Sequence, residues 1–210
     1  GSMTRILAEE EPNTIRFRSG LLRDALVERA DERGRVKKLH RLAAETKVRF
    51  YSPSLDERAA EIGRHFLQAG LESEAAQFLL RAGEFARESN IYSQALDAYE
   101  QVREILDAQR EPAEEIRVKT LLGLAETNLQ LARYEEATRA AMQARYFETM
   151  VGRDTFPEAT RILAEIAHKS GGIRQGRAMY ATALKKFGSS GNLEGTARVH
   201  YGLGQLELGD

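Results

Sequence analysis

The sequence predicts an all-α protein built from antiparallel helical hairpins stacked side by side. Three observations carry this. Apolar residues recur at three- and four-residue intervals in segment after segment, and no alternating apolar–polar stretch of useful length interrupts them. The 210 residues are rich in Ala, Leu, Glu and Arg, with four prolines and no tryptophan, a composition suited to helices. Small residues also return at long intervals. Ala95, Ala137 and Gly176 lie 42 and 39 residues apart, each early in an expected helix.

The opening GSM has the look of an expression scar, and the polar residues after it predict a flexible lead-in over 1–14. Residues 15–50 are expected to form an N-terminal helical segment. Its first helix, 15–26, carries Phe17, Leu21, Leu22, Ala25 and Leu26 near helical spacing, and ERADERGR breaks it. A second helix, 36–48, aligns Val36, Leu39, Leu42, Ala43 and Val48. Pro53 then stops the chain, and Ser54 with Glu57 is spaced as a capping box for the next helix.

Residues 51–210 are expected to be the repeat array, its last unit truncated. The helix 55–69 sets Ala59, Ile62, Gly63 and Phe66 on one side and stops at Gly70. In 72–88 the face is Ala75, Ala76, Leu79, Ala82 and Ala86, and in 92–108 it is Ala95, Tyr99, Val102 and Leu106. Pro112 opens the next helix near its first turn. Helices at 114–131 and 135–150 follow, then 157–170 and 174–187 across Gly171-Gly172, and finally 193–208. The last helix ends in a Gly-Asp turn, which suggests a piece of a longer protein.

The recurring set resembles the tetratricopeptide repeat. The residues that carry the resemblance are the pairs Ile62-Gly63, Leu124-Ala125, Leu163-Ala164 and Tyr201-Gly202. With them go Ala95, Ala137 and Gly176, each followed four residues later by Tyr99, Ala141 or Tyr180. Two helices cross closely only where no bulky side chain sits at the contact. The resemblance implies a right-handed tetratricopeptide-like superhelix, an α-solenoid, over residues 55–210. The units here run near forty residues, against about 34 in the usual repeat. By this pattern the helix 72–88 closes one pair and opens the next.

A second resemblance lies upstream. IRFRSGLLRDALVERADERGRVKKLHRLAAE is similar to the helical segment after the nucleotide-binding module of bacterial signal-transduction ATPases with numerous domains, matching at Phe17, Arg18, Leu21, Leu22, Leu39 and His40. Such chains are often fused to kinase, cyclase or DNA-binding domains, so the resemblance implies a regulatory setting. No GxxxxGK[ST] occurs in the sequence, so no ATPase is expected within it.

Chemistry is sparse. There is no cysteine, which excludes disulfides and thiolate metal sites. His40, His65, His168 and His200 have no metal-ligand spacing. Adjacent glutamates such as Glu114-Glu115 and Glu135-Glu136 diverge around a helix and suit its N-terminus. GSSGN at 188–192 lacks the strand and lysine of a phosphate loop. No enzyme activity, metal or cofactor is expected. The net charge is −1, and no apolar run reaches the roughly 20 residues of a membrane span. Residues 16–49 hold eleven Lys and Arg against five Asp and Glu, but they lack aromatic interleaving, so nucleic acid is not an expected partner.

In this repeat type the first helix of each pair lines a concave groove. The resemblance therefore places Arg64, Gln68, Lys119, Glu126, Gln130, Arg161, Glu165 and Lys169 in a partner-binding groove. Glu126 and Glu165 stand where the carboxylate clamp of the family has asparagine. The function expected is a non-catalytic interaction scaffold for a protein, a peptide or another domain of the same full-length protein, in the cytoplasm. The alternative is a small-effector sensor domain of a regulator. Homodimerisation through the terminal helix, at Tyr201, Leu203 and Leu206, is a further expectation.

Overall fold

The computed structural model describes residues 7–11, 14–17, 19–111, 113–150 and 157–208. Pro112 and the 151–156 connection lie outside the described residues. The fold is all-α with successive helices packed on their neighbours, preceded by a short hairpin.

That hairpin is a departure from expectation. Leu7–Glu11 (β1) and Thr14–Phe17 (β2) pair antiparallel, with Leu7 opposite Phe17. The pairing is local, but the two segments are short and show too little alternation to announce it. The first helix, Gly20–Glu32 (α1), consequently starts later and runs into the expected break, which is confined to Arg33–Arg35. Ser19 caps it, its Oγ accepting from the Leu22 amide at 3.4 Å. No residue of α1 is buried; Leu21 is 84% exposed.

From Val36 onward the expected helices stand within a few residues. They are Val36–Phe50 (α2), Leu55–Gln68 (α3), Glu72–Glu88 (α4), Tyr92–Ala108 (α5) and Glu114–Gln130 (α6). Tyr134–Met150 (α7), Glu158–Lys169 (α8), Ile173–Ser190 (α9) and Leu193–Leu208 (α10) complete the chain. Ser54 does not act as a cap. It ends a single 3₁₀ turn, Ser52–Ser54, and its side chain makes no bond to α3. The helix α9 also extends through most of GSSGN, closing at Gly191 with φ 69°.

One turn geometry recurs. The amide of Leu71 bonds the Phe66 carbonyl at 2.9 Å, Ile91 bonds Ala86 at 2.8 Å, and Arg133 bonds Asn128 at 2.9 Å. Gly172 to Ala167 and Asn192 to Phe187 repeat it. Each is the six-to-one bond of a Schellman motif, which needs one left-handed residue just past the helix. Gly70, Gly171 and Gly191 supply it, but so do Asn90 and Ala132, at φ 60° and 55°.

Packing rests on rings set against glycines. The Tyr99 ring of α5 lies between Gly83 of α4 and Gly123 of α6; a Cβ at Gly83 would sit 2.6 Å from it, and one at Gly123 would be closer still. Tyr180 fits Gly202 in the same way, and Phe187 fits Gly195. Leu79 lies against Gly63. One core runs from Ala44 of α2 to Ile166 of α8, and a second holds Ala164, Tyr180, Ala183, Phe187, Val199 and Leu206.

The helix α4 packs closely on both α3 and α5, as the sequence pattern suggests. Beyond nearest neighbours, α4 touches α6, α6 touches α8, and α8 touches α10. A stack closes up on the side where second neighbours meet. These four helices therefore form its inner layer, and α5, α7 and α9 back it.

Candidate functional site: an ion-paired cleft on the inner layer

The inner layer is held by charge. Arg161 of α8 is 6% exposed, yet three carboxylates surround it. Its Nε donates to Glu158 at 2.8 Å and its Nη1 to Glu165 at 3.3 Å, while its Nη2 pairs with Glu126 of α6. Glu126 in turn takes Nη1 of Arg87, from α4, at 3.1 Å and has Nη1 of Arg198, from α10, at 3.9 Å. Arg198 is anchored on Glu194 at 2.7 Å, and Lys169 on Glu165 at 3.3 Å. One carboxylate thus links all four inner helices.

The electrostatics follow from this crowding. Burial opposes the Arg161 charge, but Glu126 and Glu158 outweigh it and hold its pKa above the ordinary arginine value. Arg87 is raised for the same reason, burial being overcome chiefly by Glu126. Burial pushes the Tyr180 phenol up to about 12, with the Glu165 charge adding to it. A guanidinium in a low-dielectric site is tolerable only when every donor direction meets an acceptor. Arg161 has that arrangement, with acidic partners from both its own helix and α6.

Beside the network opens a cleft of about 590 Å³. Its floor is Arg161, Glu165 and Tyr180, and its rim is Gln130, His168, Lys169, Arg198, Tyr201 and Gln205. Tyr201 is 72% exposed, so an aromatic face stands ready at the edge.

Of the eight residues expected in a groove, the structure brings Gln130, Arg161, Glu165 and Lys169 to this cleft, with Glu126 directly behind it. It does not bring the other three. Lys119 pairs with Glu115 at 3.2 Å and lines a separate cavity of about 450 Å³ with Asp56, Arg81 and Glu84. Arg64 and Gln68 are exposed on α3, where Arg64 Nε donates to the Ala60 carbonyl at 3.3 Å. For Arg64 and Gln68 the reason is register: α3 stands outside the inner layer, and α4 takes the place expected of it. Lys119 is on α6, but about two turns before Glu126, where it faces α3 and α4. Sequence reasoning missed Arg87, Arg198, Tyr201 and Gln205. Part of the signal was available: Ala82-Gly83 in α4 repeats the apolar-small pair and marks α4 as an inner helix, but the same count from Gly83 gives Glu84 and Glu88, one residue short of finding Arg87.

Among the described residues, no cluster of three or more His, Asp or Glu is placed to hold a metal ion, and no helix is long and apolar enough to cross a membrane. No protein-family model matches the chain, and no curated protein matches it. A solved structure does. The crystal structure of BtubC (BKLC) from P. vanneervenii is similar with a TM-score of 0.55 at 18% identity, covering 80% of this chain and 66% of that one. That likeness shows a shared helical arrangement. The match thus spans a little less than two thirds of the neighbour's own length.

Proposed function

We propose that this chain is a non-catalytic protein-interaction scaffold of the tetratricopeptide type, one part of a larger cytoplasmic signalling or regulatory protein, and that it binds an extended peptide or partner domain in the inner cleft. The observation that carries this reading is the cleft itself. Its charged floor is fully engaged in ion pairs, so those groups hold a fixed shape. What projects from the rim is suited to contact: Gln130 and Gln205 offer amides to a peptide backbone, and Tyr201 offers an aromatic face to a side chain. A prearranged surface loses little entropy on binding.

Panning a random peptide display library against the 210-residue chain tests the proposal. The expected outcome is enriched peptides whose binding weakens at least about tenfold, about 1.4 kcal/mol, in Tyr201→Ala and Gln130→Ala. Peptides that bind both variants as well as the parent, or no enrichment at all, would sink it.

A second reading has one observation in its favour. The cleft volume falls within the roughly 300–1,000 Å³ typical of small-molecule pockets. A small-effector sensor would show a thermal shift with a discrete metabolite, removed by Tyr201→Ala, and no selected peptide.

A further inference from the structure

The outer face of α2 carries a surface that the inner cleft does not explain. Leu39, Leu42 and Phe50 are 53%, 58% and 61% exposed. With Ala43 and Thr46 they recur at positions i, i+3, i+4, i+7 and i+11, so they form one stripe along the helix. The sequence pattern puts Leu39, Leu42 and Ala43 on one face of α2 with Val36 and Val48. The structure splits that face: it covers the side about 100° round the helix, where Ala44 is buried against α3, Val48 packs on the core and His40 Nδ1 meets His65 Nδ1 at 2.9 Å, and it leaves Leu39 and Leu42 outside. Along the exposed stripe runs a shallow groove of about 510 Å³, continued by Tyr51 at its end.

The two edges of the groove differ in charge. On one side stand Arg35, Lys38 and Arg49, all exposed and with no ion pair among the described residues. On the other is Lys47, which Glu61 already neutralises at 2.9 Å. An apolar trough about 17 Å long, three turns at 1.5 Å per residue, with one basic edge matches the apolar stripe of a helix whose flank is acidic. A bilayer fits less well. It would cover both edges alike and so press anionic headgroups onto Glu61. The position suits a helix as well: α2 has one closely packed neighbour, α3, and barely touches α1.

We propose that the Leu39–Leu42–Phe50 groove of α2 docks an acidic amphipathic helix of a partner protein, with Lys38 and Arg49 pairing to its carboxylates. This surface is separate from the inner cleft, so either proposal stands or falls without the other. The probe is a synthetic helical peptide of about 18 residues, five turns, with leucines on one face and glutamates on one flank. Titrated against the whole chain by fluorescence anisotropy, it should bind saturably and weaken with salt. Leu42→Glu should cost at least about tenfold in affinity. Lys38→Glu with Arg49→Glu should reverse the preference, favouring the same peptide with lysines for glutamates. All these positions are exposed, so the variants should fold; circular dichroism checks that, and Leu208→Glu is the unaffected control. The proposal is overturned if binding does not saturate, or if a scrambled peptide of equal composition binds as well. It is equally overturned if phosphatidylserine vesicles take up the chain through this face while the peptide does not, or if light scattering finds a dimer that Leu42→Glu abolishes, which would make a second copy the occupant.

Discussion

Ala132 turns the chain between α6 and α7 at φ 55°, a conformation in which its Cβ crowds the following carbonyl. Gly70 and Gly171 do the same work without a Cβ. Replacing Ala132 by glycine removes that crowding but adds backbone entropy to the unfolded chain. The strain is the larger effect, so Ala132→Gly should stabilise the protein by about 0.5–1 kcal/mol, read as a higher urea midpoint at unchanged slope. Glu148 is the other residue with a definite consequence. It is 5% exposed at the end of α7, with Oε1 unpartnered. Burial, reinforced by the Glu158 charge, pushes its pKa to about 8 from the usual 4.5. A raised carboxyl pKa means the fold prefers the protonated form. Its favourable effect is complete below the unfolded value and fades as pH climbs through the folded one. Stability should therefore fall between pH 4.5 and about 8. Each pH unit between the two values is worth about 1.4 kcal/mol, so Glu148→Gln should exceed the parent by a few kcal/mol at about pH 9 and match it at about pH 4. Denaturant titrations at both pH values check this; equal curves at the higher pH would refute it.

Between elements, contacts depend on what a helix lacks. Gly123 lets the Tyr99 ring lie flush on α6, and Gly83 does so on α4. Gly123→Ala would raise helix propensity by about 1 kcal/mol in isolation. Here the added methyl meets a ring held on its other side by Gly83, so it cannot be relieved by a small shift. The expected net result is a loss of about 1–3 kcal/mol. Combining it with Tyr99→Leu should cost less than the two changes added, because the smaller side chain frees the space. A double-mutant cycle showing strict additivity would mean that the ring and the glycine do not compete. The spacing of Leu39 and Leu42 with Val36 and Val48 is helical, and α2 is indeed a helix. Which side of it faces the protein was settled by where α3 lies, and α3 takes Ala44 and His40.

Over the whole molecule, cohesion is graded. The main core ends at α8, and a smaller one joins α8 to α9 and α10. Arrays of this kind are stabilised by each unit and its neighbours, so damage stays local. Phe187→Ala, at a fully buried site of the second core, should cost about 3–5 kcal/mol there. Amide exchange in α9 and α10 should accelerate sharply, while α4 to α6 keep their protection. Uniform acceleration along the chain would instead indicate a single cooperative unit. The ion-paired inner layer ties α10 to α6 through Arg198 and Glu126, but at 3.9 Å and half-exposed that tie is too weak to couple the ends.

By itself the sequence determined the helices from Val36 on, their turns, and the hairpin repeat. Those depend on local chemistry: periodic apolar residues, and glycine or asparagine at every left-handed turn but that of Ala132. It also placed Gln130, Arg161, Glu165 and Lys169 on a common side, because residues at matching positions in successive repeats stack. Only the tertiary structure decided that Leu7–Glu11 and Thr14–Phe17 pair as strands, that α4 rather than α3 joins the inner layer, and that Glu126 gathers arginines from three other helices. The last two turn on which distant segments meet, and a helix carries more than one plausible face until its neighbours arrive; the hairpin is local, but its two short segments carry too weak a pattern to announce pairing.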